Sequence, residues 1–276
     1  MLSEARWNGA TNLQRGKALK AWQGARGSRY RWNVLDLLNR FGKKAVTCYL
    51  FSDIDLAQVE KLRKHFADEG HSVTVTAFLI KAIGLAQRRH PASRTMCLPG
   101  SRLVTYNNIV AGFTVEKEVE GQPIVFFGEI EGPDKKSLLE IAGALKDYAD
   151  SDIVNLPKLR EQMMFAQMPW LVRQLLLSLA TWFPSFRLKF MGATFGLSSL
   201  GALGVGAVAG PSVCTSVFGV GAVSERAVVR NGEIVARPML TLSLNFDHRV
   251  MDVWQAARFL KEIREYLEGD LLDCME

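Results

Sequence analysis

Metal ligands and disulfide partners are scarce in this sequence, which holds four cysteines and four histidines among 276 residues. Cys48, Cys97, Cys214 and Cys274 lie far apart and form no CxxC pair. That spacing argues against a disulfide framework or a cysteine zinc site and suits a reducing compartment. No metal is therefore expected. A P-loop lysine motif and a G-x-S-x-G nucleophile elbow are also missing, and the GVGAVAG run follows no strand-to-helix dinucleotide pattern. No continuous apolar stretch opens the chain, so no secretory leader is expected and the expected location is cytoplasmic.

What charge there is sits at one end. Residues 1–31 carry Arg6, Arg15, Lys17, Lys20, Arg26, Arg29 and Arg31 against Glu4 alone, 7 − 1 = +6. The whole chain is also +6, so everything after Arg31 sums to zero. The basicity belongs to an arm, read as residues 1–28, and not to a basic face of the fold. No nucleic-acid recognition motif accompanies it, so a nucleic-acid partner is not expected.

The apolar fraction of 48% and a mean hydropathy near zero fit an ordinary globular domain, here residues 29–276. Lys44–Asp55 reads as a strand, and Asp55 as the N-cap of a helix through about Ala67. Val73–Arg89 and Ser137–Tyr148 read as helices, with short β-rich runs between Arg102 and Ile130. Asn231-Gly232 between two apolar runs suits the two positive-φ positions of a tight hairpin. A final helix is expected over roughly Val253–Leu267 from its apolar periodicity. The expected architecture is a two-layer α/β sandwich with a mixed sheet.

One segment stands apart. Met168–Met191 is apolar almost all round, with Arg173, Gln174, Ser178 and Thr181 on one narrow stripe before Pro184. Only about 13 residues separate Arg173 from Arg187, short of the ~20 that span a bilayer. Burial in the core, in a subunit interface or along an acyl-chain channel is the leading expectation; a peripheral lipid contact is the other.

Among the histidines, His65, His71 and His90 fall at helix surfaces, ends or turns. His248 follows the apolar run LTLSLNF and precedes the last helix, at a strand end of the kind that displays reactive groups. Imidazole titrates near neutrality and suits removal of a proton from a thiol or hydroxyl. Asp252 stands four residues on and could orient it or anchor an arginine. Ser198 and Ser199, beside Gly201, could donate to an oxyanion.

MGATFGLSSLGALG, then FGVGAVSERAVVRNGEIVARPMLTLSLNFDHRVMD, then WQAARFLKEIREYLE resemble the catalytic core of the 2-oxoacid dehydrogenase acyltransferases, and their relative chloramphenicol acetyltransferase. The likeness runs over roughly residues 29–270. It implies a chloramphenicol-acetyltransferase-like fold and transfer of an acyl group between a coenzyme A thioester and a thiol, hydroxyl or amine acceptor. It implies His248 as the base, Ser198 as the oxyanion donor, and Ser199 and Gly201 beside the coenzyme. It also implies that Asp252 pairs with an N-terminal arginine, Arg31 falling nearest and Arg29 second. Homotrimers, which can build into larger assemblies, would form the site between neighbouring chains. The expected form is stand-alone, with no lipoyl domain on this chain. Val253 departs from the usual glycine after the aspartate, and the alternative it supports is an inactive core with a structural or assembly role.

Overall fold

The computed structural model describes residues 34–42, 45–190, 192–211 and 213–269. The basic arm, Arg29, Arg31 and Cys274 lie outside the described residues.

A short π-helical turn, Leu38–Gly42, precedes β1 (Thr47–Asp55), α1 (Ala57–Asp68) and α2 (Val75–Arg89). A small hairpin follows, β2 (Thr95–Leu98) and β3 (Arg102–Thr105), and then the long hairpin β4 (Val110–Val119) and β5 (Gln122–Glu131). Four helices come next: α3 (Leu138–Asp150), α4 (Pro157–Gln167), α5 (Trp170–Trp182) and α6 (Pro184–Phe190). The chain ends in β6 (Phe195–Ser199), β7 (Ser216–Val220), β8 (Ser224–Arg230), β9 (Glu233–Asp247) and α7 (Val253–Glu268).

The main sheet runs β1-β9-β7-β6-β4-β5, with β8 added to β9. The pairs β4–β6 and β6–β7 are parallel and the other pairs antiparallel, so the sheet is mixed, as expected. Period-two alternation explains its two faces. On β9, Leu240, Leu242, Leu244 and Phe246 are buried in one large core with Phe78, Ile83, Phe218, Phe259 and Ile263. The alternate residues Ser243 and Asn245 face away from that core, where their side chains donate to the carbonyls of Val208 and Gly210. The glycine-rich 201–211 segment thus lies over the second face, and a side chain at Gly219 would strike Val208.

Helix α2 is the central one, buried from Ala77 to Gln87 and N-capped by Thr74. Its buried Lys81 donates to the carbonyls of Asp134 and Lys136, and burial lowers its pKa. Ser137 caps α3 through a full capping box. The Asn231-Gly232 turn has φ of 53° and 86°, as its sequence demanded.

One expectation needs adjusting. Asp55 ends β1 and Leu56 occupies the N-cap of α1, although the Asp55 carboxylate still accepts from the Ala57 N–H at 3.0 Å. The β4–β5 turn uses Glu120 and Gly121 at φ 52° and 73°, a tight turn that an Asn-Gly signal would not reveal. Met168–Met191 divides at Phe183, where α5 stops and Pro184 opens α6.

Candidate active site

His248 stands in the turn between β9 and α7, exposed, and its ring bonds to no described residue. The backbone around it is tied down from three sides. Its own N–H donates to the Val46 carbonyl at 2.8 Å. The Asp247 carboxylate accepts from the Val46 N–H at 3.2 Å, from the Arg249 N–H at 3.1 Å and from Arg249 Nε at 3.0 Å. The Val250 and Met251 N–H groups close on the Asp247 carbonyl. Burial alone would raise the Asp247 carboxyl; the hydrogen bonds and charge of Arg249, with Val46, hold it below its ordinary value instead. The same hydrogen bond raises Arg249.

Asp247 and Arg249 are the residues the sequence reading left without a role. The adjacent D-H-R triplet was the available signal; the Val46 partner, 201 positions away, was not.

Asp252 is the N-cap of α7. Its carboxylate accepts from the Gln255 N–H at 2.7 Å, and Gln255 Oε1 accepts from the Asp252 N–H at 3.1 Å. Its expected arginine partners, Arg31 and Arg29, lie outside the described residues. Val253 is the first helical residue, half exposed, and its φ is not positive, so the side chain in place of glycine costs the backbone nothing.

Ser198 lies on β6, on the face opposite the buried Phe195 and Leu197; Ser199 ends the strand, exposed. Neither hydroxyl bonds to a described residue. Gly201 opens a short 3-10 turn, where a Cβ would come within 3.0 Å of the Gly221 carbonyl. Ser198, Gly219 and Ser243 are in register across three strands, and His248 lies five residues beyond Ser243. At ~3.3 Å per residue and ~4.8 Å per strand, His248 and Ser198 are on the order of 19 Å apart within the chain. One chain does not bring them together.

Beside the turn lies a cavity of about 370 Å³ whose lining includes Arg40, Phe41, Cys97, Thr181, Arg187 and Arg249. Arg187 lies 4.2 Å over the Phe41 ring and donates to the Val213 carbonyl at 2.8 Å. Burial lowers its pKa. Of the other histidines, His65 faces Glu69 at 3.4 Å and His90 bonds to Glu262 at 2.7 Å, while His71 is exposed after α1. Among the described residues no group of three or more His, Cys, Asp or Glu could hold a metal ion.

The family description 2-oxoacid dehydrogenases acyltransferase (catalytic domain) matches residues 24–156 and 187–275. Among relatives, the chain is 29% identical over 218 residues to the dihydrolipoyllysine-residue acetyltransferase component of the acetoin cleaving system of Bacillus subtilis (strain 168). That match covers 77% of this chain and 46% of the relative, so the chain spans about half the relative's length. Among solved structures, the cubic core of a pyruvate dehydrogenase multienzyme complex superposes with a TM-score of 0.69 at 22% identity, covering 99% of this chain and 100% of that one. An Azotobacter vinelandii dihydrolipoamide acetyltransferase, in which the catalytic role of a serine, a histidine and an asparagine was investigated, gives 0.68 at 22% identity, with coverage of 92% and 94%. These likenesses show the same fold. With the family's catalytic-domain description matched over most of its length, the chain belongs to the 2-oxoacid dehydrogenase acyltransferase family.

Proposed function

We propose that this chain is a coenzyme A-dependent acyltransferase, with His248 as general base and Ser198 as oxyanion donor. The observation that carries the reading is the exposed imidazole, displayed on a strand-end turn that Asp247, Arg249 and Val46 hold rigid. In the Azotobacter enzyme the investigated histidine and asparagine stand four residues apart, as His248 and Asp252 do here.

The chemistry follows from these groups. The imidazole takes the proton of the attacking thiol, hydroxyl or amine as that group adds to the thioester carbonyl. The Ser198 hydroxyl donates to the oxyanion that forms. Collapse expels the coenzyme A thiolate, which recovers the proton from the imidazolium. A positioned base contributes about 10²–10⁴-fold and an oxyanion donor about 10²–10³-fold. Ser199 and Gly201 would flank the coenzyme at the Ser198 strand end, and the basic cavity beside Arg249 suits an anionic part of a substrate. Asp252 would pair with Arg31 while capping α7.

Separation of His248 from Ser198 within the chain supports a site shared between subunits of a homotrimer, each chain giving its histidine to one neighbour and its serine to the other. The cubic core among the similar structures supports assembly of such trimers. The inactive-core alternative draws on Val253; its φ is not positive, so the backbone at that position does not itself require glycine. Release of free coenzyme A thiol from acyl-CoA, assayed with thiol, hydroxyl and amine acceptors, tests the reading. Turnover that His248→Ala leaves intact, or none with any acyl chain length, would overturn it.

A further inference from the structure

Residues 157–186 lie outside the family match, and they hold α4 and α5. The orientation of α5 is inverted for a surface helix. Its polar residues turn to the protein: Arg173 pairs with Asp36 at 3.1 Å, and Ser178 accepts from Arg40. Leu177 and Ala180 join Phe41 in a small buried cluster. The other side presents Trp170, Leu171, Leu175, Leu179, Trp182 and Phe183 to solvent, from 36% to 72% exposed. Expected burial in the core of the chain is therefore not what the fold provides for this face. Contiguous exposed apolar surface of this kind marks an interaction site.

We propose that the outward face of α5 docks on an anionic lipid bilayer, lying in the plane of the interface while the basic arm supplies the electrostatic attraction. Residues 1–28 carry Arg6, Arg15, Lys17, Lys20 and Arg26 against Glu4, 5 − 1 = +4, and residue 34 stands two positions before Asp36, which is bonded to the inner side of α5. The described chain therefore begins beside α5. The arm's five basic residues complement anionic headgroups at about 1 kcal/mol each near the surface, with Arg29 and Arg31 left to Asp252. Two weak signals together, apolar insertion and charge, are what stable peripheral binding needs. Tryptophans at both ends of the helix fit the interfacial position their amphipathic rings favour.

A second copy fits less well. A stable protein interface takes about 20–30 residues a side, and this face is one 13-residue helix plus Phe183. No described helix is long and apolar enough to cross a membrane, so the contact is peripheral.

Sedimentation of the full chain with vesicles tests the proposal, comparing phosphatidylcholine alone with phosphatidylcholine mixed with phosphatidylglycerol. Binding is expected to the mixed vesicles and to weaken with salt. Leu175→Asp with Leu179→Asp should lower it at least about tenfold, since inserting one leucine is worth more than that factor. Leu171→Asp, at the most exposed position, should act the same way with the least risk to folding. Each of Arg6→Gln, Arg15→Gln and Arg26→Gln should cost about fivefold. Acyl transfer, circular dichroism and oligomer mass should stay unchanged. Absence of binding to anionic vesicles, binding indifferent to these substitutions, or a changed oligomer mass in the leucine variants would each overturn it. The last would assign the face to a contact between copies.

Discussion

Asp247 accepts hydrogen bonds from both the backbone N–H and the Nε of Arg249, at 3.1 and 3.0 Å, and so closes the turn that carries His248. A third bond, from the Val46 N–H, fastens that turn to the start of β1. The carboxylate works through the backbone on either side of the imidazole and does not touch the ring.

Asp247→Asn should therefore lower stability by about 1.5–3 kcal/mol, the usual worth of hydrogen bonds to a charged group. Activity should fall with it as the His248 turn loosens. The wild-type carboxyl titrates below its ordinary value of 3.8, so its contribution is present above that pH and is lost as pH falls through the folded value. Urea denaturation from neutral pH into the acid range should show a steeper loss in the wild type than in Asp247→Asn. Parallel curves would mean that the carboxylate does not stabilise the turn.

His248→Ala should reduce acyl transfer at least about 10²-fold, in line with removal of a general base. Thermal stability should stay near wild type, because the ring is exposed and bonds to no described residue. Ser198→Ala should lose about 10²–10³-fold and Ser199→Ala much less, since only Ser198 faces the second side of the sheet before the strand ends. The reverse ranking would move the oxyanion donor to Ser199.

Much of this was written locally. Asn231-Gly232 announces its own turn because its two positions must take positive φ, and the His248 motif announces its strand end. The Glu120-Gly121 turn was hidden, since glutamate has no such preference and only the register of β4 with β5 imposes φ 52° there. Likewise, the apolar residues of α5 disclosed a helix without disclosing its direction. A stripe of Arg173 and Ser178 normally faces water; here Asp36 and Arg40, far away in sequence, take it instead. Asp247 shows the same limit at the site, for its hydrogen bond to Val46 spans 201 positions. What pairs across such distances has no local signature.

Complementation checks the shared site. Within one chain His248 and Ser198 are on the order of 19 Å apart, too far to act on one carbonyl. Inactive His248→Ala and Ser198→Ala chains, co-assembled, should regain roughly one quarter of wild-type activity, since random pairing gives that share of intact sites in a cyclic oligomer. Mixtures no more active than either parent would place both groups in a single subunit.

The thiols should separate by their ionisation. Cys214 is partly exposed, but desolvation pushes its pKa up to about 12, so at pH 8 almost none is thiolate. Cys48 and Cys97 are partly exposed. Iodoacetamide on the native protein should alkylate those two within the time that Cys214 stays unmodified, and unfolding in urea should relieve the desolvation and let Cys214 react. Peptide mass spectrometry after a short pulse reads this directly; early labelling of Cys214 would contradict its raised pKa.

Asp252 is asked to do two things, and its substitutions pull them apart. Asparagine caps a helix about as well as aspartate does, so Asp252→Asn should keep the bond from the Gln255 N–H, while Asp252→Ala loses it at about 0.5–2 kcal/mol. Stability should therefore rank wild type, then Asn, then Ala. The step from wild type to Asn isolates the charge. If that charge holds Arg31, Arg31→Ala should cost a similar amount and add almost nothing on top of Asp252→Asn, giving a coupling energy above about 0.5 kcal/mol in a double-mutant cycle. The same cycle read in acyl-transfer rate should show the same non-additivity, because a pair that fixes the start of α7 also fixes the far side of the His248 turn. Additive effects in both readouts would leave Asp252 with the cap alone and turn the search for its partner to Arg29.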